Sequence, residues 1–241
     1  MATCDLCKRR LKVTSRSLGV CRSCIINNFA QTQPYLDRAH ESSRREFGLP
    51  VSPPRDSSGR LCHFCLNECR IAPQGRGYCG LRRNLAGKIA GGGPQDGNLS
   101  WYHDPLPTNC VADWVCPAGS EAGFPAFSYT PGPEYGYNNL AVFYQACTFD
   151  CLFCQNWHFR PLALKKGEVS SSCLAAQLDS RTACICYFGG DPTPQLSHAL
   201  VAARLARLGL RFDLPEPAQD AGRKPAPLGP GMDPAKPPRL R

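Results

Sequence analysis

Eleven of the sixteen cysteines in this chain fall into three short groups. They are Cys4, Cys7, Cys21 and Cys24; Cys62, Cys65, Cys69 and Cys79; and Cys147, Cys151 and Cys154. Grouped thiols constrain a fold more tightly than any apolar pattern, because each group obliges its own loop to wrap around one centre. The N-terminus, MATCDLCKRR, holds no apolar stretch that reads as a signal peptide, so a cytoplasmic, reducing setting is expected. There CxxC pairs are expected to bind metal rather than close disulfides, and a secreted disulfide scaffold is the weaker alternative. No run reaches the length of a membrane span, so a membrane is not an expected partner. The 241 residues suffice for one large or two small domains.

The formal net charge of +9 points at first to nucleic acid, and residues 1–60 hold eleven Lys and Arg against five acids. That count treats every thiol as neutral. A four-thiolate zinc site carries a net charge of about −2, so a few metal centres remove much of the excess. A basic zinc-binding loop such as KRRLK is ordinarily solvated, and nucleic acid is not the expected partner.

Five regions follow. In residues 1–47, two CxxC pairs separated by thirteen residues predict a zinc-ribbon-like module. Each pair makes a knuckle, and two knuckles complete a closed, structural tetrahedron at Cys4, Cys7, Cys21 and Cys24. Iron in a rubredoxin-like site is the alternative. Residues 48–60, GLPVSPPRDSSGR, read as a linker. Residues 61–138 form a cysteine-rich, irregular segment in which Cys62, Cys65, Cys69 and Cys79 hold either zinc or a second iron–sulfur cluster. The glycines of KIAGGGPQDG match no phosphate loop, and Cys110 and Cys116, with no near partner in sequence, read either as small buried hydrophobes or as part of a metal shell.

Residues 139–213 change character, running strand, loop, helix, strand, loop, helix. LAVFYQA and ACICYFGG have the length and apolar content of buried strands. SSSCLAAQLDS offers serine caps followed by helix formers. In TPQLSHALVAARLARLGL, Thr193 is the expected cap and Pro194 the first helical residue, with Ala199, Val201, Ala202, Leu205 and Ala206 on one face. LRFDL begins a third strand. The alternation implies βαβ units on a parallel sheet, with ligands gathering where the strands end. Cys184 and Cys186 share one face of the second strand, a placement open to ligands but read first as buried packing residues, while His158 and His198 stand alone. Residues 214–241 hold eight prolines in 28 residues and read as a disordered tail.

The third group, CTFDCLFCQNW, has a different logic. Three thiolates can converge on one cubane and leave one iron without a protein ligand, and an open position is what separates a reactive site from a structural one. With Phe153 before the last cysteine, and with Gly189, Gly190, Asp191, Pro192 and Thr193 after the next strand, this motif resembles the radical SAM enzymes. The two motifs lie 35 residues apart, from Cys154 to Gly189, in the order the family has them. CQNW and the upstream CHFC…GYCGLRRN resemble the group related to pyruvate formate-lyase activating enzymes, over residues 61–213.

That resemblance implies an oxidoreductase with a 4Fe–4S cluster on Cys147, Cys151 and Cys154 and S-adenosyl-L-methionine on its open iron. It further implies Phe153 beside the adenine and Gly189, Gly190, Asp191 and Pro192 around the methionyl group. Asp191 stands where many members have Glu. An electron donor would reduce the cluster, the cofactor would split to methionine and a 5′-deoxyadenosyl radical, and a protein glycine would give up the hydrogen. The family fold is a TIM-like barrel of about six βα units of about 30 residues each, whereas Leu140–Phe212 spans 73 residues. An incomplete α/β barrel, truncated after two units, is therefore the expected fold, with a catalytically inactive metal-binding protein as the alternative to an enzyme.

Overall fold

The computed structural model describes residues 1–108, 110 and 112–209. The expected third strand, 210–214, and the Pro-rich tail, 214–241, lie outside the described residues.

The N-terminal module opens with a two-residue ribbon, β1 (Ala2–Thr3) antiparallel to β2 (Arg10–Leu11), and continues into α1 (Arg22–Asn27) and α2 (Phe29–Arg45). Its core consists of Cys4, Val20, Cys21 and Cys24, flanked by Leu6, Leu11, Ile25 and Tyr35. So few apolar side chains cannot offset the entropy of ordering about 30 residues, so this module needs a cross-link of another kind. Helix α2 is polar on most of its surface and buries Thr32 and Arg44. What fixes it is therefore hydrogen bonding rather than an apolar stripe.

Residues 48–60, expected as a linker, are tied down at both ends. Leu49 is buried, the Pro50 carbonyl accepts from Arg44, and Arg55 donates to the carbonyls of Asn67 and Glu68 at 2.7 and 2.8 Å. Two further ribbons follow, β3 (Arg60–Leu61) with β4 (Arg70–Ile71) and β5 (Arg83–Leu85) with β6 (Lys88–Ala90). The second turns through Ala86 and Gly87, both at positive φ (49° and 77°), the geometry that closes a two-residue hairpin with the native strand twist.

The main sheet has three strands in the order β7 (Leu99–Pro105), β8 (Asn138–Tyr144), β9 (Thr182–Gly189). Strands β8 and β9 are parallel, as the alternation required. Strand β7 corrects the expectation of irregular structure across 98–138: it pairs antiparallel with β8 through all seven residues, Leu99 opposite Tyr144 and Pro105 opposite Asn138. Its burial alternates weakly because one face meets solvent. Its strand character thus comes from its partner rather than from its own pattern.

Helices α3 (Ser171–Ala175) and α4 (Leu196–Leu208) cover one face of this sheet. The core there is Leu140, Val142, Tyr144, Leu174, Ala199 and Ala202. Ser170 caps α3, its Oγ accepting from Cys173 N at 3.0 Å. Thr193 does not cap α4. It opens a 3-10 turn, Thr193–Gln195, and its N–H donates to Asp191 Oδ1 at 2.8 Å. The expected apolar face of α4 is partly right: Ala199, Ala202 and Ala206 are buried, Val201 and Leu205 only half-buried. His198 is fully buried, its ring bonded to Tyr144 Oη at 2.9 Å and to the Val169 carbonyl at 3.1 Å. Gln195 pairs its side-chain amide with the Asn98 backbone in both directions, at 2.7 and 2.9 Å, and so pins the start of α4 to the sheet. The architecture of the described residues is thus mixed α/β with several small sheets. No helix among them is long and apolar enough to cross a membrane.

Candidate metal centres

The first group closes on itself. The sulfurs of Cys4, Cys7, Cys21 and Cys24 all lie within 4.8 Å of one another, with Cys4 Sγ to Cys24 Sγ at 3.8 Å and Cys7 Sγ to Cys21 Sγ at 3.9 Å. A tetrahedron with Zn–S bonds of about 2.3 Å has edges of about 3.8 Å. Both knuckles follow from local backbone. In the first, Cys4 N donates to Arg9 O at 3.0 Å and Lys8 N to Cys4 O at 2.8 Å, with Lys8 at φ 59°. In the second, Cys21 precedes α1, its N–H donating to Cys4 Sγ at 3.3 Å.

The electrostatics of the four thiols diverge. Hydrogen bonding from Arg9 holds Cys7 down to about 6, whereas burial and the neighbouring thiols push Cys24 up to about 12. Four like anions cannot share so small a volume unless a cation neutralises them, and a bound dication does so. This quartet can hold one metal ion.

The second group is arranged less tightly. Cys62 and Cys69 face each other across the β3–β4 ribbon, Cys62 N donating to Cys69 O at 2.9 Å, and both pack on Ile71. Cys65 lies in the turn between them, where Glu68 takes φ 41°. Cys79 packs instead with Leu81 and Ala146, and burial pushes its thiol up to about 11. Among the described residues, the first quartet is the set of three or more ligands with mononuclear spacing.

The third group lies one residue past Ala146, just beyond the C-terminal end of β8. Cys147 and Cys154 are half-buried against Leu49, Phe159 and Ala163, while Cys151 is exposed. Burial, with the Asp191 charge adding to it, pushes Cys147 up to about 12. Phe153 is 87% exposed. Gln155 is exposed, Asn156 Nδ2 donates to Phe188 O at 2.9 Å, and Trp157 packs its ring 6.2 Å from Phe47 and 4.4 Å from His158.

The glycine motif meets this loop directly. Gly189 ends β9 and Gly190 follows at φ 61°. A Cβ on Gly190 would strike the carbonyl oxygens of Tyr144 and Ala146, and one on Gly189 the Phe143 ring. Asp191 N donates to Ala146 O at 3.0 Å. The Asp191 carboxylate bridges the two loops, one oxygen accepting from Thr148 N and the other from Thr193 N. Each carboxylate oxygen accepts up to about two bonds, so capacity remains for a ligand. Pro192 precedes the 3-10 turn that leads into α4. Beside the glycines lies a cavity of about 230 Å³ lined by Phe143, Gln145, Asn156, His158, Gly189 and Gly190.

Asp150, in the middle of the CxxxCxxC loop, was not singled out by the sequence. Its carboxylate is 3% exposed and accepts from Arg160 at 2.8 Å, from Ser43 Oγ at 3.2 Å and from His40 Nδ1 at 2.9 Å, with Arg44 at 3.6 Å. The only signal was an acid among thiols, and its partners on α2 lie more than a hundred residues away. Asn67 adds a further tether, Nδ2 donating to Thr148 O at 2.9 Å.

Set against known protein families, characterised proteins and solved structures, the chain matches none.

Proposed function

We propose that this chain is a radical SAM iron–sulfur protein. In this reading Cys147, Cys151 and Cys154 hold a 4Fe–4S cluster with one open iron, and S-adenosyl-L-methionine is its ligand. One observation supports it above the others: the CxxxCxxC loop and the Gly189–Thr193 loop leave the C-terminal ends of neighbouring parallel strands, locked together by the Asp191 carboxylate. Ligand sites of α/β sheets form at such strand ends.

The residues suit the groups. Three soft thiols sit on one short loop, and Phe149 N already donates to Cys147 Sγ at 3.4 Å, a bond that strengthens when the sulfur is a thiolate. Gly190 lets the backbone of β9 approach that loop with no side chain in the way. Phe153 presents an exposed ring that can stack on a nucleobase, and the remaining acceptor capacity of Asp191 suits a cationic amino group.

A 4Fe–4S cluster held by Cys147, Cys151 and Cys154 would, when bound and reduced, supply one electron for the reductive cleavage of S-adenosyl-L-methionine. The protein positions the reactants around that event. Asp150 and its cations fix the loop, Asp191 keeps the two motifs in register, and Trp157 with Phe47 covers one flank. The electron comes from a separate donor. By resemblance to the activating enzymes, the hydrogen comes from a glycine of a partner protein. The Cys4, Cys7, Cys21 and Cys24 site is structural zinc in this reading, and the second group holds zinc or a further cluster.

Anaerobic reconstitution with iron and sulfide, then reduction in the presence of S-adenosyl-L-methionine, tests the proposal. 5′-Deoxyadenosine should form, and Cys151→Ala should abolish it. Iron and sulfide bound without any cofactor cleavage would replace this reading with that of a metal-binding interaction protein.

A further inference from the structure

Five cysteines stand outside the three motif groups, namely Cys110, Cys116, Cys173, Cys184 and Cys186. The fold gathers four of them. On β9, Ile185 and Tyr187 turn toward the helical layer and pack on the Leu140–Val142 core. Cys184 and Cys186 must then point to the opposite face, because side chains alternate along a strand. On that face Leu106, Ala118 and Tyr137 form one buried cluster with Ala183 and Cys184, and Cys116 and Tyr129 pack against it.

Cys110 and Cys116 flank one tight turn in that segment. Asp113 N donates to Cys110 O at 3.1 Å, and Cys116 N donates to Ala112 O at 3.0 Å and to Asp113 O at 3.1 Å. Cys116 packs against the cluster that holds Cys184, and the Cys110 sulfur, accepting from Ala112 N at 3.4 Å, stays on the same turn. The electrostatics agree with that proximity. After burial, the groups that raise Cys186 are Cys110, Cys116 and Asp104, and those that raise Cys184 are Cys186 and Cys116.

We infer that Cys110, Cys116, Cys184 and Cys186 form a further thiolate centre for a soft metal, either a zinc ion or an iron–sulfur cluster, on the sheet face opposite the helices. Small buried thiols scattered singly need no explanation. Four meeting from two distant parts of the chain, in a protein that already commits eleven thiols to grouped motifs, match the donor set of a four-cysteine site. The four sulfurs are not drawn to the mutual spacing of the first quartet. Binding therefore either moves the Cys110–Cys116 turn inward onto a single ion or accommodates a larger cluster without that movement. The inference is independent of the reading of the third group.

The test is metal and acid-labile sulfide analysis of anaerobically purified, metal-loaded protein, with Cys184→Ser and Cys186→Ser compared to Cys173→Ser, the fifth ungrouped cysteine. Serine nearly preserves the volume of a thiol, and retention of zinc by the first quartet serves as the folding control. The expected result is loss of one centre in both strand variants, read either as one zinc fewer or as the iron and sulfide of one cluster fewer, with Cys173→Ser unchanged. Alkylation under native conditions gives a second readout. Cys116 and Cys186, both half-buried, should be protected in the loaded protein and become reactive when metal is removed. Unchanged metal and sulfide content in both strand variants would overturn the inference, as would a Cys116–Cys184 disulfide seen as a loss of two hydrogens in the intact mass.

Discussion

An aspartate placed among three thiols adds negative charge where anions already collect, which is unfavourable unless cations offset it. At Asp150 two guanidiniums do so, those of Arg44 and Arg160, both themselves almost fully buried, and the His40 ring adds a hydrogen bond. Removing one member of a buried ion network leaves the others desolvated without compensation, at a cost of about 3–5 kcal/mol. Arg44 keeps the Pro50 and Tyr78 carbonyls and its stacking 3.6 Å over the Tyr78 ring, so Asp150→Asn should fall at the lower end of that range in urea denaturation. Metal analysis of the same variant should show a reduced iron content with the zinc retained. An unchanged denaturation midpoint would mean that the network is not what holds the loop. Gly190→Ala addresses the same junction from the other side. It combines a left-handed backbone with a clash against two carbonyl oxygens, and should cost at least about 1–3 kcal/mol. The cysteines, the glycines and Asp191 were legible because their spacing is local. Asp150 was visible as a residue but not as an anchor, since no pattern within the loop reveals a helix 110 residues upstream.

Elements show the same division. Strands β8 and β9 were readable because both faces are covered and their apolar runs are continuous. Strand β7 was not, because it lies at an edge between Gly- and Pro-rich stretches and takes its conformation from β8. Helix α4 was legible in its alanines, yet its tightest attachment is polar: His198 sits between Tyr144 and Val169, and burial lowers its pKa below the ordinary 6.5. The sign follows from proton counting. Below about pH 6.5 the unfolded chain protonates this imidazole and the folded chain does not, so stability falls as the pH drops from 6.5 toward the lowered native value. His198→Gln should therefore flatten the pH dependence of the urea midpoint between pH 7.5 and 5.5, on top of a constant loss. A variant with the same slope as the parent would assign that pH dependence elsewhere.

At the scale of the whole molecule, the N-terminal module and the sheet are joined through α2. One end of α1–α2 grows from the Cys21–Cys24 knuckle, and further along α2 His40, Ser43 and Arg44 grip Asp150. A cleft of about 800 Å³ separates the ribbon loop at Arg16–Gly19 from Leu152 and Phe153 of the CxxxCxxC loop, with Arg38 and Glu46 of the α2 side between them. Because the ribbon's core is mostly thiol, an ion held by the four cysteines would supply most of its folding free energy. Cys4→Ser should lose one zinc and the module's cooperative unfolding, and should loosen, without abolishing, iron binding on the other side of α2. Full retention of zinc would refute the four-thiolate site. The electron paramagnetic resonance spectrum of the anaerobically reduced protein, recorded with and without S-adenosyl-L-methionine, bears most directly on the central proposal. A cluster held by Cys147, Cys151 and Cys154 alone should change its g values when the sulfonium compound occupies the open iron, and the change should vanish in Cys151→Ala. A cluster signal indifferent to the compound, or no cluster signal at all, would contradict it.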